Sequence, residues 1–122
     1  MSVAFDRQEQ MDQITSGLMP DEVAVAVYDA SGAGTGFVGV TNMRVILQDK
    51  SFVGKKVAIT SIPFDRVTSV SMLSNKSWAG TFFSTSSIAI NVGAQTYTAD
   101  FRGTDKAKHI HNLILHYMRA TR

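Results

Sequence analysis

The sequence contains no cysteine. This absence excludes disulfide bonds, cysteine-ligated zinc, iron–sulfur clusters and thiol catalysis. Glutamate is nearly as scarce, with two residues in 122, so catalysis by paired carboxylates has little material. Only 18% of the residues are charged, and the net charge is +2. That charge is too small to indicate a nucleic-acid partner, which requires basic residues clustered on one face.

Long apolar runs are also missing. No stretch approaches the roughly 20 apolar residues of a membrane-spanning helix. The first ten residues, MSVAFDRQEQ, lack the apolar centre of a secretory signal. We therefore expect a cytoplasmic protein. What is present is a globular composition, with 44% hydrophobic residues in a length that suits one domain.

Apolar residues at helical spacing lie near both ends of the chain. Met11, Ile14 and Leu18 form a narrow stripe, and Gly17 and Pro20 predict the end of that helix. A broader stripe predicts a second, C-terminal helix. Its members are Ala107, Ile110, Leu113, Ile114, Tyr117 and Met118.

Between these helices the spacing changes to the alternation of β-strands, and we predict some seven strands in succession. In the first strand, the valines at 23, 25 and 27 point to one face and residues 24, 26 and 28 to the other. The next two strands form a hairpin that turns at Thr41–Asn42 or Asn42–Met43. Either turn places Val38, Val40, Val45 and Leu47 on one face, and Arg44, Ile46 and Gln48 on the outer face.

A later strand breaks the alternation. Ile62 and Phe64 fall out of phase with Val57 and Ile59, which predicts a β-bulge or a break in the strand near Thr60–Ser61. Strands followed by a terminal amphipathic helix indicate an α+β fold.

The last two strands meet at Gly93–Ala94, a two-residue loop that begins with glycine, as a type II′ turn requires. This turn sets the register of the hairpin. We expect Ile90 opposite Tyr97 and Ile88 opposite Ala99.

Three short segments resemble a known family. They are LMPDE at Leu18–Glu22, GVTNMRVIL at Gly39–Leu47 and IPFDRVTSV at Ile62–Val70. In this order and spacing they resemble the bacterial pleckstrin-homology (PH)-like domains, particularly the YokE-like group. The resemblance implies a seven-stranded antiparallel bent sheet, or partly open barrel, capped by the C-terminal helix. We expect an N-terminal helical extension over residues 1–17 and the PH-like domain over residues 18–122.

The resemblance also has implications for function. Most such bacterial domains have no established activity, and several form symmetric rings or dimers. We predict a non-catalytic interaction or scaffold module without a cofactor, which binds itself or another protein. The predicted interface consists of Trp78, Phe83 and Leu115, because outward apolar side chains are common in protein interfaces. We also expect a free sheet edge that must be covered or paired.

The alternative is peripheral binding of anionic membrane lipid through the loop at residues 50–56. Phe52 and Val53 lie there between Lys50 and the pair Lys55 and Lys56, an apolar tip surrounded by cations. The first hairpin loop, DASGAGTG, contains no basic residue. Eukaryotic lipid-binding relatives carry a basic cluster in that loop, so this chain departs from their pattern.

Other candidate sites are incomplete. His109 and His116 share a face of the last helix, but His111 is rotated away and no ligand set results. The segment SGAGTG precedes a strand and contains no lysine, unlike a phosphate-binding loop. Ser84–Ser87 lacks the glycines of a nucleophile elbow. We therefore predict that the chain is not an enzyme and holds no metal.

Overall fold

The computed structural model describes residues 3–30, 36–49, 58–74, 85–103 and 105–120. The helices are α1 (Gln8–Ser16) and α2 (Asp105–Ala120), with a short 3-10 turn at Phe64–Arg66. The strands are β1 (Ala4–Phe5), β2 (Ala24–Ala30), β3 (Gly36–Thr41), β4 (Arg44–Asp49), β5 (Ala58–Pro63), β6 (Ser69–Ser74), β7 (Thr85–Val92) and β8 (Gln95–Arg102).

The described strands form two sheets rather than one closed barrel. The first has the order β1-β2-β3-β4-β5 and the second the order β6-β7-β8. All pairs are antiparallel except β1 with β2, which is parallel. The seven predicted strands are β2 to β8, followed by the predicted helix. β1 was not predicted, because two residues are too few to show an alternation.

The main core lies between the inner faces of the two sheets and α2. Its helical members are Ala107, Ile110, Ile114 and Met118, all buried as predicted. Phe64, in the 3-10 turn, stacks on Tyr117 of α2 with ring centroids 5.2 Å apart. The amphipathic helix therefore covers the second sheet with its predicted face.

A second core lies on the outer face of the first sheet, under α1. Ile14 of α1 packs there with Val27, Phe37 and Ile46. Residues 44, 46 and 48 do share the outer face of β4, as expected. They are not exposed to solvent as an outer face would be, because α1 covers that face. Ile46 is 5% exposed and Gln48 is 7% exposed.

The strand registers confirm one prediction and correct another. Ile88 pairs with Ala99 and Ile90 with Tyr97, as expected. The bulge or break predicted near Thr60–Ser61 is wrong, because β5 is one continuous strand that pairs with β4 without a shift from end to end. Ile59 simply lies on the outer face. The apparent change of phase arises because Ile59 is an apolar residue on the outer face, whereas Ile62 is buried on the inner face.

The irregularity lies instead in β2, between Ala24 and Ala26. This shift places Ala24 in the second core together with Val27, whereas simple alternation put the two on opposite faces. Val23, just before the strand, is 58% exposed. A bulge adds one unpaired residue to a strand, which explains why alternation fails at this point.

Candidate functional site

A cluster of polar side chains lies at one end of the first sheet, where β2 begins, β3 ends and β4 begins. Glu22 precedes β2, Thr41 ends β3 and Arg44 begins β4. Arg44 Nε donates to Glu22 Oε2 at 2.8 Å and its Nη2 donates to Oε1 at 2.9 Å. Thr41 Oγ1 donates to Glu22 Oε2 at 2.6 Å. We call Glu22, Thr41 and Arg44 the polar clamp.

The clamp also holds segments outside the three strands. Arg44 Nη2 donates to the carbonyl of Gly17 at 3.1 Å, and Nη1 donates to Ser61 Oγ at 2.9 Å. The backbone N–H of Met19 donates to Glu22 Oε1 at 2.9 Å. One arginine thus joins the end of α1, the loop before β2 and the middle of β5. Two of the three sequence segments that carry the family resemblance, Leu18–Glu22 and Gly39–Leu47, contribute to this network, and Ser61 lies directly before the third.

The charge state of the clamp is set by competing effects. Burial alone would raise the pKa of Glu22, whose side chain is 0% exposed. Hydrogen bonds from Arg44, the N–H of Met19 and Thr41 outweigh burial and lower the pKa of Glu22 to about 2. The carboxylate is therefore ionised at neutral pH and fully engaged. Such a group stabilises the fold and has no free oxygen to act on a substrate.

A second polar cluster ties the N-terminus to α2. Asp6 Oδ2 accepts from Lys106 Nζ at 2.8 Å and from the N–H of Asp29 at 3.0 Å. The hydroxyl of Tyr28 lies 2.6 Å from His109 Nδ1. Burial, and then the charge of Asp6, raise the pKa of Tyr28, so this phenol stays protonated near neutral pH. The polar groups of Asp6, Tyr28 and Lys106 thus have hydrogen-bonding partners within the chain.

The other two histidines also have neighbours on α2. His111 Nδ1 lies 3.2 Å from Asn112 Oδ1, and the ring of His116 packs edge-on against Tyr117. In the part of the chain that the structure describes, no group of three or more histidine or acidic side chains could hold a metal ion. Neither described helix is long and apolar enough to cross a membrane.

A family model described as the bacterial PH domain matches residues 10–115. The chain belongs to the bacterial PH domain family. The match confirms the resemblance seen in the sequence. PH domains are generally non-catalytic interaction modules, and the match indicates no enzyme family. None of the curated proteins compared with the chain matches it.

Solved structures share this fold at low identity. A PH domain from Shewanella amazonensis SB2B is 21% identical with a TM-score of 0.67, and covers 93% of this chain and 99% of its own. A protein from Shewanella loihica PV-4 that contains a PH domain is 17% identical with a TM-score of 0.66, over 95% and 96%. The hSac2 domain of the human phosphoinositide phosphatase Sac2 is 13% identical with a TM-score of 0.57, over 96% and 86%. These likenesses show the fold alone.

The predicted interface of this PH domain is only partly described. Leu115 lies on the solvent side of α2 and is 42% exposed. Trp78 and Phe83 lie outside the described residues. The predicted lipid-binding residues also lie outside them. These are Lys50, Phe52, Val53, Lys55 and Lys56.

Sequence reasoning missed the exposed apolar residues on two terminal strands of this PH domain. Ile59 on β5 is 53% exposed, and Met72 and Leu73 on β6 are 39% and 60% exposed. Among the described residues, β5 and β6 each have a hydrogen-bonded neighbour on one side only. The signal was present at β6, where Met72 and Leu73 are adjacent and must point to opposite faces.

Proposed function

We propose that this PH domain is a non-catalytic interaction module that self-associates through the edge of β6 that has no strand neighbour among the described residues. The observation that carries the proposal is the composition of that strand. Its sequence, SVSMLS, contains no charged residue and no proline. Natural proteins protect the edges of sheets with charges, prolines, bulges or coverage. An uncharged edge strand with two exposed apolar side chains is suited to pairing with another strand.

The second copy is the partner that this edge favours most simply. Two identical edge strands can pair antiparallel about a two-fold axis, so that one surface serves both chains. Leu73 projects from the outer face of the sheet, and Leu115 is exposed on α2, which packs across β6. We propose that Leu115, together with Trp78 and Phe83 from the sequence prediction, extends this contact surface.

Replacing Leu73 by lysine tests the proposal. The lysine adds a charge to the edge and removes an exposed apolar side chain, so we expect Leu73→Lys to be monomeric where the wild type is oligomeric. Multi-angle light scattering over a concentration series measures the mass of both. Thr98→Lys is the matched control, because Thr98 is exposed on the same outer face but lies on β8. A wild-type mass of one 13.3 kDa chain at every concentration would refute self-association.

The lipid-binding alternative has a separate test. If Lys55 and Lys56 attract anionic lipid, flotation with phosphatidylserine vesicles will recover the wild type but not the Lys55→Glu, Lys56→Glu double variant. A matched double reversal at exposed Lys108 and Arg119 of α2 controls for net charge. If the wild type does not float, the alternative is excluded.

A further inference from the structure

The N-terminal arm, residues 3–16, is held mainly by contacts to the rest of the domain. β1 pairs with β2 through Ala4 opposite Ala26 and Phe5 opposite Val27. Deeper in the arm, Gln10 Nε2 donates to Asp29 Oδ1 at 2.8 Å. We call residues 24–120 the body. The arm lies in a slot on the body formed by β2, β3 and the start of α2.

The centre of this slot is shaped for Ile14. Ile14 is 3% exposed and lies over Gly39 of β3. A Cβ on Gly39 would overlap Ile14 Cδ1, so glycine at this position leaves the space that the isoleucine fills. The slot therefore recognises the arm by shape, by strand pairing and by hydrogen bonds.

The arm has little structure of its own to preserve. α1 has nine residues and β1 has two, and a helix this short is marginal in isolation. A two-residue parallel pairing at the end of a sheet is also weak. The conformation of the arm depends on being seated in a slot, and a slot on a second copy offers the same contacts.

The connection between arm and body is a short loop with a strained residue. Residues 17–23 join them, and Asp21 within this loop has φ of 66°. That left-handed conformation is unfavourable for residues other than glycine, although aspartate tolerates it better than most. Short connections under strain favour the exchange of a terminal element between copies. The hinge lies between Gly17 and Glu22, because Arg44 holds both of these residues in the clamp.

We propose that two copies of this PH domain exchange their N-terminal arms, so that the arm of each lies in the slot of the other. Arm exchange rests on the proposed self-association and names the segment that passes between copies. The contact made by the arm is separate from the contact at the β6 edge. Every arm contact seen within one chain is then made between two chains.

The ion pair between Asp6 and Lys106 allows a direct test. It joins arm to body, and its side chains are 23% and 29% exposed. In Asp6→Lys the closed chain sets two lysines together, and in Lys106→Asp it sets two aspartates together. Arm exchange between one Asp6→Lys chain and one Lys106→Asp chain restores an opposite-charge pair in both slots.

We expect an equimolar mixture of the two variants, unfolded in urea and refolded together, to form heterodimers about tenfold in excess of the statistical proportion. Native mass spectrometry separates the heterodimer from both homodimers. The double variant Asp6→Lys, Lys106→Asp is the control, because exchange with the wild type sets two lysines together in one slot and two aspartates in the other; its mixture with the wild type should therefore form homodimers in excess. Statistical mixing of the single variants, or monomers alone, would overturn arm exchange.

Disulfide cross-linking tests arm exchange independently, should a charge variant fail to fold. The chain has no cysteine of its own, so Ile14→Cys with Gly39→Cys introduces one possible disulfide. A Cβ on Gly39 lies 3.5 Å from Ile14 Cγ1, which places the two thiols within reach. After refolding and oxidation at high concentration, exchanged arms give a covalent dimer on a non-reducing gel. Exclusively intrachain disulfide contradicts the proposal.

The failure of this inference is distinguishable from the failure of the proposed function. If the wild type is oligomeric but the single variants mix statistically, self-association stands and arm exchange does not. If the heterodimer forms while Leu73→Lys leaves the wild-type mass unchanged, the arm and not the β6 edge joins the copies. If the wild type and the mixture are both monomeric, both proposals fail.

Discussion

Arg44 shows how one side chain can join distant segments of the chain without a catalytic role. Its guanidinium contacts Glu22, Ser61 and the carbonyl of Gly17. Neutralising either member of a buried ion pair leaves an uncompensated charge, which is why such pairs are costly to break. We infer that the clamp residues are kept for folding, and that binding must use other surfaces.

Glu22→Gln should destabilise the domain by roughly 3 kcal/mol at pH 7, because Arg44 loses its counter-charge. The folded pKa of Glu22, about 2, lies below its ordinary value of 4.5. The carboxylate therefore contributes its full stability above pH 4.5, and this contribution is lost as the pH falls toward 2. At pH 3 the wild type should already have lost about 2 kcal/mol of it. Urea unfolding at both pH values measures these changes.

The matched control is Glu9→Gln, the same change at the only other glutamate, whose side chain is 77% exposed. We expect its free energy of unfolding to stay within about 0.5 kcal/mol of the wild type at both pH values. If the difference between wild type and Glu22→Gln does not narrow between pH 7 and pH 3, the assigned role of Glu22 is wrong.

For single residues, the sequence predicts the face of a strand on which a side chain lies better than it predicts the residues that the side chain contacts. Alternation correctly placed Arg44 on the outer face of β4, together with Ile46 and Gln48. It could not reveal that Glu22, 22 residues earlier, supplies the counter-charge, because that contact depends on the conformation of the loop before β2. It also could not show that α1 covers this face, since docking a helix requires knowing which sheet surface is apolar in three dimensions.

Among the elements, α2 is the one whose sequence pattern was the most complete guide. The spacing of its apolar residues identified the buried face without any knowledge of the sheets, because a regular helix repeats every 3.6 residues. β2 and β5 were harder to predict. The bulge in β2 changes which face a side chain takes, and the exposed apolar Ile59 of β5 resembles a change of phase; neither has a distinct spacing.

Two adjacent residues of α2 provide a test of this arrangement. Ile114 is 0% exposed and Leu115 is 42% exposed. We expect Ile114→Ala to lower the free energy of unfolding by about 3 kcal/mol, because it leaves a cavity between the sheets. Leu115→Ala should change it by less than about 0.5 kcal/mol. Chemical denaturation compares the two, and equal losses would mean that the helix is not seated as described.

For the whole molecule, the fold was more predictable than the surface that functions. Three motifs in the right order identified the family, and two of them, Leu18–Glu22 and Gly39–Leu47, contain the clamp residues. The boundary between an extension at residues 1–17 and a domain from residue 18 remains a prediction, and the arm-exchange proposal gives it a physical meaning. Trp78 and Phe83 likewise remain predictions for an interface.

A free sheet edge was expected, but the strand that forms it escaped prediction, because strand order is a property of the assembled sheets. β6 reads like any other short strand in the sequence, and only its place at the end of β6-β7-β8 leaves one side open among the described residues. The absence of charge in β6 gains meaning from that position. Function in this PH domain is therefore proposed from topology together with composition.

Amide hydrogen exchange of β6 tests the central claim, self-association through this edge, most directly. Peptides that cover Ser69–Ser74 are compared at low and high protein concentration, with peptides from Gln95–Arg102 of β8 as the internal reference. Strand pairing between copies protects backbone amides, so we predict that exchange in β6 slows as the concentration rises while exchange in β8 does not change. Unaltered exchange in β6, in a sample whose mass has increased, would contradict the claim.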